Sequence, residues 1–253
     1  MVGVQVKKHQ VVILAGGLGT RLRPITEKIP KPLVPVAGQP FLHWQLLDLK
    51  SQGYTDVLLL VAYLGEQIEA HFGEGREMGL RIRYSFEPEP LGTGGAIRHA
   101  LGELQEEFLL LNGDSFLRAP LDEMSAAFAK GGFDAMISVY DDRTPTQVIP
   151  NLKTAGQVVL DYRKDAGREQ GFDKIDSGVY VMKRRLLEAT PKVATGAAGA
   201  PKFALADLWP GVLAKGRLGA YNVAERFYDI GTPARLQEFE EKVRDYFPNS
   251  ISN

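Results

Sequence analysis

The feature that most constrains this chain is its alternation of short apolar runs with amphipathic stretches. Residues 11–14 (VVIL) form an apolar run that leads straight into a glycine-rich turn at Gly16 to Gly19. Residues 56–63 (DVLLLVAY) are too uniformly apolar for a strand with one wet face, so they are predicted as a central strand covered on both sides. Runs at 108–111 and 135–140 repeat the strand signal, and 80–86 alternates. Between these runs Leu42, Leu46 and Leu49 recur at helical spacing after Pro40 and before a Gly53 stop. Residues 65–72 and 121–130 also read as helices, and Ile97, Ala100, Leu101 and Leu104 make another helical stripe. Strand and helix in alternation predict an α/β fold whose sheet is mixed but mostly parallel.

Further along, 158–162 and 175–182 are predicted strands of a small β-rich lobe, between loops at 143–151 and 195–201. Thr232 and Pro233 supply an N-cap and first-turn pair for a closing helix over about 232–247, with Leu236, Phe239, Val243, Tyr246 and Phe247 on one face. Trp44 and Trp209 sit in apolar helical contexts and are expected in the core. No linker or repeat divides the 253 residues, so a single domain over 1–253 is expected.

Composition narrows the function. Thirty Lys and Arg against thirty-one Asp and Glu give a net charge of −1, which argues against nucleic acid or an anionic membrane as partner. The absence of Cys excludes disulfides, thiolate metal sites and a cysteine nucleophile. The apolar run after Lys7 and Lys8 stops at Gly16, short of the roughly 7–15 residues of a signal-peptide core, and nothing approaches the ~20 apolar residues of a membrane span. A cytoplasmic location is the expectation.

Residues 14–24 (LAGGLGTRLRP) carry the most chemistry. Glycines let backbone N–H groups come close to an anion, and arginines clamp phosphate oxygens, so a nucleoside triphosphate is the expected guest. Two better-known phosphate loops fail here. The dinucleotide fingerprint begun at Gly17 and Gly19 has Leu22 at its third glycine, and no Gly-Lys-Ser/Thr occurs. In 29–36 (IPKPLVPV), Pro30 and Pro32 are expected to hold Lys31 in an extended segment, delivering a cation with little ordering entropy left to lose.

These two segments resemble the signature of the sugar-1-phosphate nucleotidyltransferase family. The likeness continues in order through 89–96 (EPLGTGGA), 111–114 (LNGD), 175–180 (IDSGVY) and 228–233 (YDIGTP), nearly the whole chain. Within the family it is most similar to the D-glycero-α-D-manno-heptose 1-phosphate guanylyltransferase branch. The resemblance implies a Rossmann-like three-layer fold, with a nucleotide-binding part over about 1–115 and a sugar-binding part over about 116–231. The chain ends soon after the closing helix, so the C-terminal β-helix of some relatives is not expected.

The implied reaction joins an NTP to a sugar 1-phosphate and releases pyrophosphate. A sugar phosphate is largely dianionic at pH 7, so its oxygen attacks the α-phosphorus without a general base. Asp114, just past an expected strand, and Asp229, just before the capped closing helix, would hold Mg²⁺, a hard cation suited to oxygen ligands. Arg21 is assigned to the departing pyrophosphate and Lys31 to the transition state. Leu14, Ala15, Gly16, Gly17, Gly19, Thr20 and Arg21 would surround the nucleotide, with Gly92 and Thr93 opening a helix whose N–H groups and small residues allow a ligand close. Glu87, five residues before Gly92, matches the family's base-reading position. An ionised Glu accepts from both adjacent guanine donors, which favours GTP.

At the sugar end the resemblance implies Asn112, Lys164, Asp176, Ser177 and Gly178. Departures stand there: Lys164 lies in Arg-Lys-Asp rather than the family's Glu-Lys-Pro, and 144–149 replaces a Tyr-Gly pair. A UTP-dependent enzyme acting on a hexose or amino-sugar 1-phosphate would share the mechanism. A non-catalytic nucleotide-sugar sensor would normally have lost a metal carboxylate or the loop arginine. A homo-oligomer is left open.

Overall fold

The computed structural model describes residues 8–141, 149–188, 195, 199–248 and 250. Its first half contains β1 (Gln10–Leu14), the short pair β2 (Pro35–Val36) and β3 (Gln39–Pro40), α1 (Phe41–Ser51), β4 (Asp56–Val61), α2 (Gly65–Phe72), β5 (Arg81–Phe86), α3 (Gly92–His99), β6 (Glu107–Asn112) and β7 (Ser115–Phe116). The second half adds α4 (Leu121–Gly131), β8 (Ala135–Asp141), β9 (Leu152–Ala155), β10 (Val158–Tyr162), β11 (Lys174–Lys183), α5 (Arg185–Glu188), α6 (Trp209–Leu213), β12 (Leu218–Val223), β13 (Tyr228–Asp229) and α7 (Pro233–Tyr246).

Nine strands form one sheet in the order β5-β4-β1-β6-β11-β8-β12-β10-β9. β5, β4, β1 and β6 are parallel, as are β8 and β12. β11 runs antiparallel between β6 and β8, and β10 and β9 complete the antiparallel edge. The expected mixed Rossmann-like sheet is present, with four parallel and five antiparallel pairings, and the strands expected as a small β-rich lobe, β10 and β11, are members of it. The near-continuous apolar run of β4 has its physical cause here, because helices cover both faces. Val11, Ile13, Leu59 and Val61 face a core with Leu42, Leu46 and Leu49 of α1, Ile68 of α2 and Phe128 of α4. Val12, Leu58 and Leu60 face the opposite core with Ile97 of α3 and Trp209 and Val212 of α6.

A third apolar cluster joins α7 to the loops of the first half. Thr232 Oγ1 accepts the Arg235 N–H, so the cap read from sequence is made, and Phe239, Val243 and Phe247 pack on Phe41, Trp44 and Phe116. Trp44 is fully buried, its indole N–H donating to the Val36 carbonyl at 3.0 Å, and Trp209 is 1% exposed.

Three local readings change. The stripe 97–104 is the end of α3 followed by a 3-10 turn, Leu101–Glu103, with Leu104 beyond it. Lys31 opens a 3-10 turn, Lys31–Leu33, rather than lying in an extended segment, because Leu33 N–H donates to the Pro30 carbonyl and Val34 N–H to that of Lys31. β12 was not expected, yet it lies between β8 and β10 in the sheet. The loop expected at 143–151 falls mostly outside the described residues, as do 196–198 of the loop at 195–201.

From β1 the chain steps out to β4 and β5 on one side and returns to add β6 on the other. The connections therefore diverge between β1 and β6, and a crevice opens beyond their carboxyl ends. No helix among the described residues is long and apolar enough to cross a membrane.

Candidate active site

A cleft of about 600 Å³ occupies that crevice. Its walls are the expected Leu14 at the end of β1 with Ala15, Gly16 and Gly17 beyond it, Glu87 after β5, Gly92 and Thr93 of α3, and Asn112 at the end of β6 with Asp114 beyond it, while Lys31 reaches it from its 3-10 turn and Lys164 from a loop. Volume and position suit a nucleotide at the switch point of an α/β sheet. Leu18, about half exposed, also lines the cleft; an apolar residue between Gly17 and Gly19 was its only sequence signal.

The glycine loop is shaped by close approach. A Cβ at Gly16 would lie 2.9 Å from Glu87 Oε1 and 3.0 Å from the Ala62 methyl, so loop and Glu87 are in contact across the cleft wall. Gly19 has φ 62°, and its carbonyl accepts from the Thr26 hydroxyl at 2.8 Å, which closes the turn into Thr20–Leu22. Glu87 Oε2 accepts the Leu91 N–H at 2.9 Å. Burial raises the Glu87 pKa, and the Leu91 N–H and nearby His99 offset part of that rise.

Gly92 and Thr93 line the cleft, but much of the glycine run behind them has another cause. The Gly94 and Gly95 N–H groups both donate to the Phe203 carbonyl, and a Cβ at Gly94 would lie 2.3 Å from the Phe203 ring. Those N–H groups are thus engaged by a distant piece of the same chain. The Thr93 hydroxyl accepts the Leu205 N–H at 2.8 Å.

At the other end of the cleft stand the charged groups. Lys31 Nζ lies 2.8 Å from Asp114 Oδ2; the lysine side chain is 8% exposed and the carboxylate 43%. β7 and β13 pair antiparallel with Asp229 opposite Ser115, and the Ile230 N–H donates to the Asp114 carbonyl, so Asp229 on β13 lies beside Asp114 in the turn that leads into β7. Asp229 Oδ1 accepts the Gly231 N–H, and Oδ2 pairs with Arg235, each at 2.8 Å. Arg21 belongs to the same corner, its guanidinium 3.1 Å from where a Cβ on Gly231 would be. Arg21, Lys31, Asp114 and Asp229 are therefore gathered as the motifs implied. Gly19, Thr20, Arg21 and Asp229 stand beside the cleft rather than in its wall.

The two neighbouring carboxylates of Asp114 and Asp229 would supply oxygen ligands of the kind a magnesium ion takes, with water and substrate phosphate completing its shell. Among the described residues no group of three or more His, Asp or Glu gathers as a closed metal cage.

The sugar end departs most from expectation. Asn112 and Lys164 line the cleft. Ser177 is 1% exposed, and its hydroxyl donates to the Ser138 carbonyl and lies 3.0 Å from the Ser138 hydroxyl, so it is a core residue rather than one facing sugar hydroxyls. Asp176 accepts from Tyr162, Tyr180 and the Gly178 N–H, so its carboxylate too is engaged within the protein. Sequence reading missed Gln45, a 3% exposed side chain of α1 whose Nε2 donates to the carbonyls of Asn112 (2.9 Å) and Ser115 (2.8 Å), clasping both ends of the Asp114 turn. Its position on the apolar face of a helix was the one available signal.

Comparison with known proteins gives the family. The family model for nucleotidyl transferases matches residues 10–245. A D-glycero-alpha-D-manno-heptose 1-phosphate guanylyltransferase of Aneurinibacillus thermoaerophilus is 37% identical over 71% of this chain and 76% of its own length. The protein of that name from Campylobacter jejuni is 33% identical over 91% of this chain and 98% of its own. The crystal structure of HddC from Yersinia pseudotuberculosis covers 93% of this chain and all of its own at 28% identity with a TM-score of 0.76, and it has also been solved complexed with GMP-PN. With the cleft at the sheet's switch point, the ordered motifs around it and a match spanning both halves of the fold, the chain belongs to the nucleotidyl transferase family, as a sugar-1-phosphate nucleotidyltransferase.

Proposed function

We propose that the protein transfers the guanylyl group of GTP to a heptose 1-phosphate. The observation that carries the reading is the nearly buried Lys31 ammonium held 2.8 Å from Asp114 at the end of a nucleotide-sized cleft. A sugar-phosphate oxygen attacks the α-phosphorus, the bond from that phosphorus to the β-bridging oxygen breaks, and pyrophosphate leaves with the electron pair. No proton need move. Lys31 and Arg21 meet the charge that grows on the transferring and leaving groups, which is where fixed cations lower a barrier most. Asp114 and Asp229 would hold magnesium, whose chemistry is to neutralise the phosphate oxygens.

Glu87 supports GTP as donor. Its carboxylate lines the cleft and keeps acceptor capacity beyond the Leu91 N–H, and guanine offers two adjacent donors to such a group where uracil offers one. The guanylyltransferase names of the relatives and the GMP-PN complex of HddC support the same choice, and the relatives' names support the heptose. A cytoplasmic setting fits phosphorylated substrates of this kind.

The test is pyrophosphate release by purified protein with magnesium, across four NTPs and a panel of hexose, amino-sugar and heptose 1-phosphates. Release in the GTP and heptose wells is expected. Release with UTP alone would overturn the Glu87 argument, and silence in every well would overturn the reaction.

A further inference from the structure

The sugar-binding half contains a partly buried polar network that the reaction itself does not use. Asp176, near the start of β11, has four partners. Its Oδ2 accepts the Tyr180 hydroxyl at 2.8 Å and the Tyr162 hydroxyl at 3.2 Å, its Oδ1 accepts the Gly178 N–H at 3.0 Å, and its own N–H donates to Asn151 Oδ1 at 3.0 Å. Both phenols are held by Trp209, whose ring centroid lies 6.2 Å from that of Tyr180 and 6.4 Å from that of Tyr162.

Each branch ends at a cleft residue. Toward Asn112, the Asp176 carboxylate acts through Gly178, whose N–H it accepts at 3.0 Å. Gly178 stands at φ 84°, where a Cβ would lie 2.9 Å from Asn112 Nδ2, so the amide rests directly on that glycine. The Asp176 carboxylate fixes the left-handed turn that leaves this room, by taking the Gly178 N–H. Toward Lys164, Tyr162 ends β10 just before the residues that bring Lys164 to the cleft. Asn151 closes this side: its carbonyl accepts the Arg163 N–H while its side chain takes the Asp176 N–H.

We propose that Asp176 is a positioning residue for the acceptor phosphate: through the Gly178 turn it orients Asn112, and through Tyr162 and Asn151 it sets the segment carrying Lys164. The proposal rests on the reading of this end of the cleft as the sugar-phosphate side. It gives the carboxylate of the IDSGVY motif a role through the protein groups that it holds. A carboxylate is acceptor-only, so it can take two phenols and a backbone N–H at once. An Asn there would place an N–H₂ against one of those donors, leaving the network part-satisfied and the two cleft residues less tightly held. Nothing in this arrangement touches Gly16, Gly17 or Glu87, so its effect should be confined to the acceptor.

Asp176→Asn, Tyr180→Phe and Tyr162→Phe test this, each with a thermal melt to confirm folding. Steady-state kinetics on the full chain, with GTP and the best acceptor varied separately, should show the KM for the sugar 1-phosphate rising about tenfold in Asp176→Asn, the effect of losing roughly one charge-assisted hydrogen bond. The KM for GTP should stay within about twofold, and each Phe variant should show a smaller rise. Equal rises in both constants, or an unchanged acceptor KM in a folded Asp176→Asn protein, would overturn the proposal.

A second readout does not depend on turnover. The Asn112 side-chain N–H₂ resonances, identified by their loss in Asn112→Ala, should shift in Asp176→Asn. If they shift while the wild type turns over no sugar 1-phosphate, the wiring stands and the proposed reaction fails. If they do not shift, the wiring itself is wrong.

Discussion

Replacing Lys31 by methionine separates the chemistry of the site from the stability of the fold. The ammonium and the Asp114 carboxylate are 2.8 Å apart, but only the lysine is buried, at 8% exposure against 43%. At that distance, with an effective dielectric of about 20, their attraction is about 6 kcal/mol before lost hydration is counted. Most of the hydration is lost by the lysine, and methionine fills a similar volume without it. Breaking a buried ion pair costs about 3–5 kcal/mol when the remaining charge is stranded. Here the remaining carboxylate reaches water, so the change in stability should stay within about 1 kcal/mol. Catalysis should respond differently. A fixed cation that meets charge developing in the transition state is worth about 3–4 kcal/mol, so kcat should fall by about 10² to 10³. The assay is pyrophosphate release at saturating GTP and sugar 1-phosphate, beside a thermal melt. A Lys31→Met protein that melts like its parent and keeps turnover within about tenfold would refute the transition-state role. One that fails to fold would show that the ion pair holds the loop together.

Gln45→Leu should lower both stability and turnover, because it leaves the Asn112 and Ser115 carbonyls unpaired; about 2–3 kcal/mol in a denaturant melt and about a tenfold loss of kcat are expected. An unchanged kcat in a folded variant would show that the Asp114 turn holds its shape without the clasp. Gly113→Ala should be more severe for activity than its size suggests, since the added Cβ would lie 2.3 Å from the Leu14 carbonyl oxygen, backbone that cannot swing aside, and must displace the turn that carries Asp114. A circular dichroism melt and kcat will tell whether the loss is local. Glu87→Gln should favour UTP over GTP relative to wild type, and a pH profile gives an independent check. Burial raises the Glu87 pKa, so the carboxylate that accepts from guanine is lost as pH falls through a value above the ordinary glutamate range. kcat/KM for GTP should therefore show an acid limb above that range, and the limb should vanish in Glu87→Gln. Its persistence would assign the titration to another group.

The parts of this protein that could be read in advance are those whose cause lies within a few residues. β4 is apolar because both its faces are covered, and α7 begins at Thr232 because a hydroxyl must take an N–H that the helix leaves free; both causes are written beside the effect. What escaped reading depends on contacts far along the chain. β12 was hidden by Gly219, which looks like a strand breaker, yet a Cβ there would lie 2.7 Å from the Phe133 ring, and the glycine is what lets the strand pass. The run at Gly94 and Gly95 reads as room for a ligand, and the structure gives much of that room to Phe203, over a hundred residues later.

The same distinction runs through the active site. Arg21, Lys31, Asp114 and Asp229 were legible because their chemistry needs particular residue types, and the glycines and prolines around them mark special backbone. That Asp229 comes beside Asp114 was not legible, since it depends on a pairing of only two residues on each side, too short to impose any period. Gln45 was missed and Asp176 misjudged for a related reason. A polar residue in a motif suggests contact with a ligand, but once its side chain is buried every donor and acceptor must be matched inside the protein. Asp176 meets that demand with Tyr162, Tyr180 and the Gly178 N–H, and Gln45 meets it through Nε2 alone, its Oε1 being buried without a partner among the described residues; each holds neighbours of the cleft. Their influence on the reaction should accordingly appear in the geometry of Asp114, Asn112 and Lys164, and a substitution at either should be felt at the substrate without the residue ever touching it.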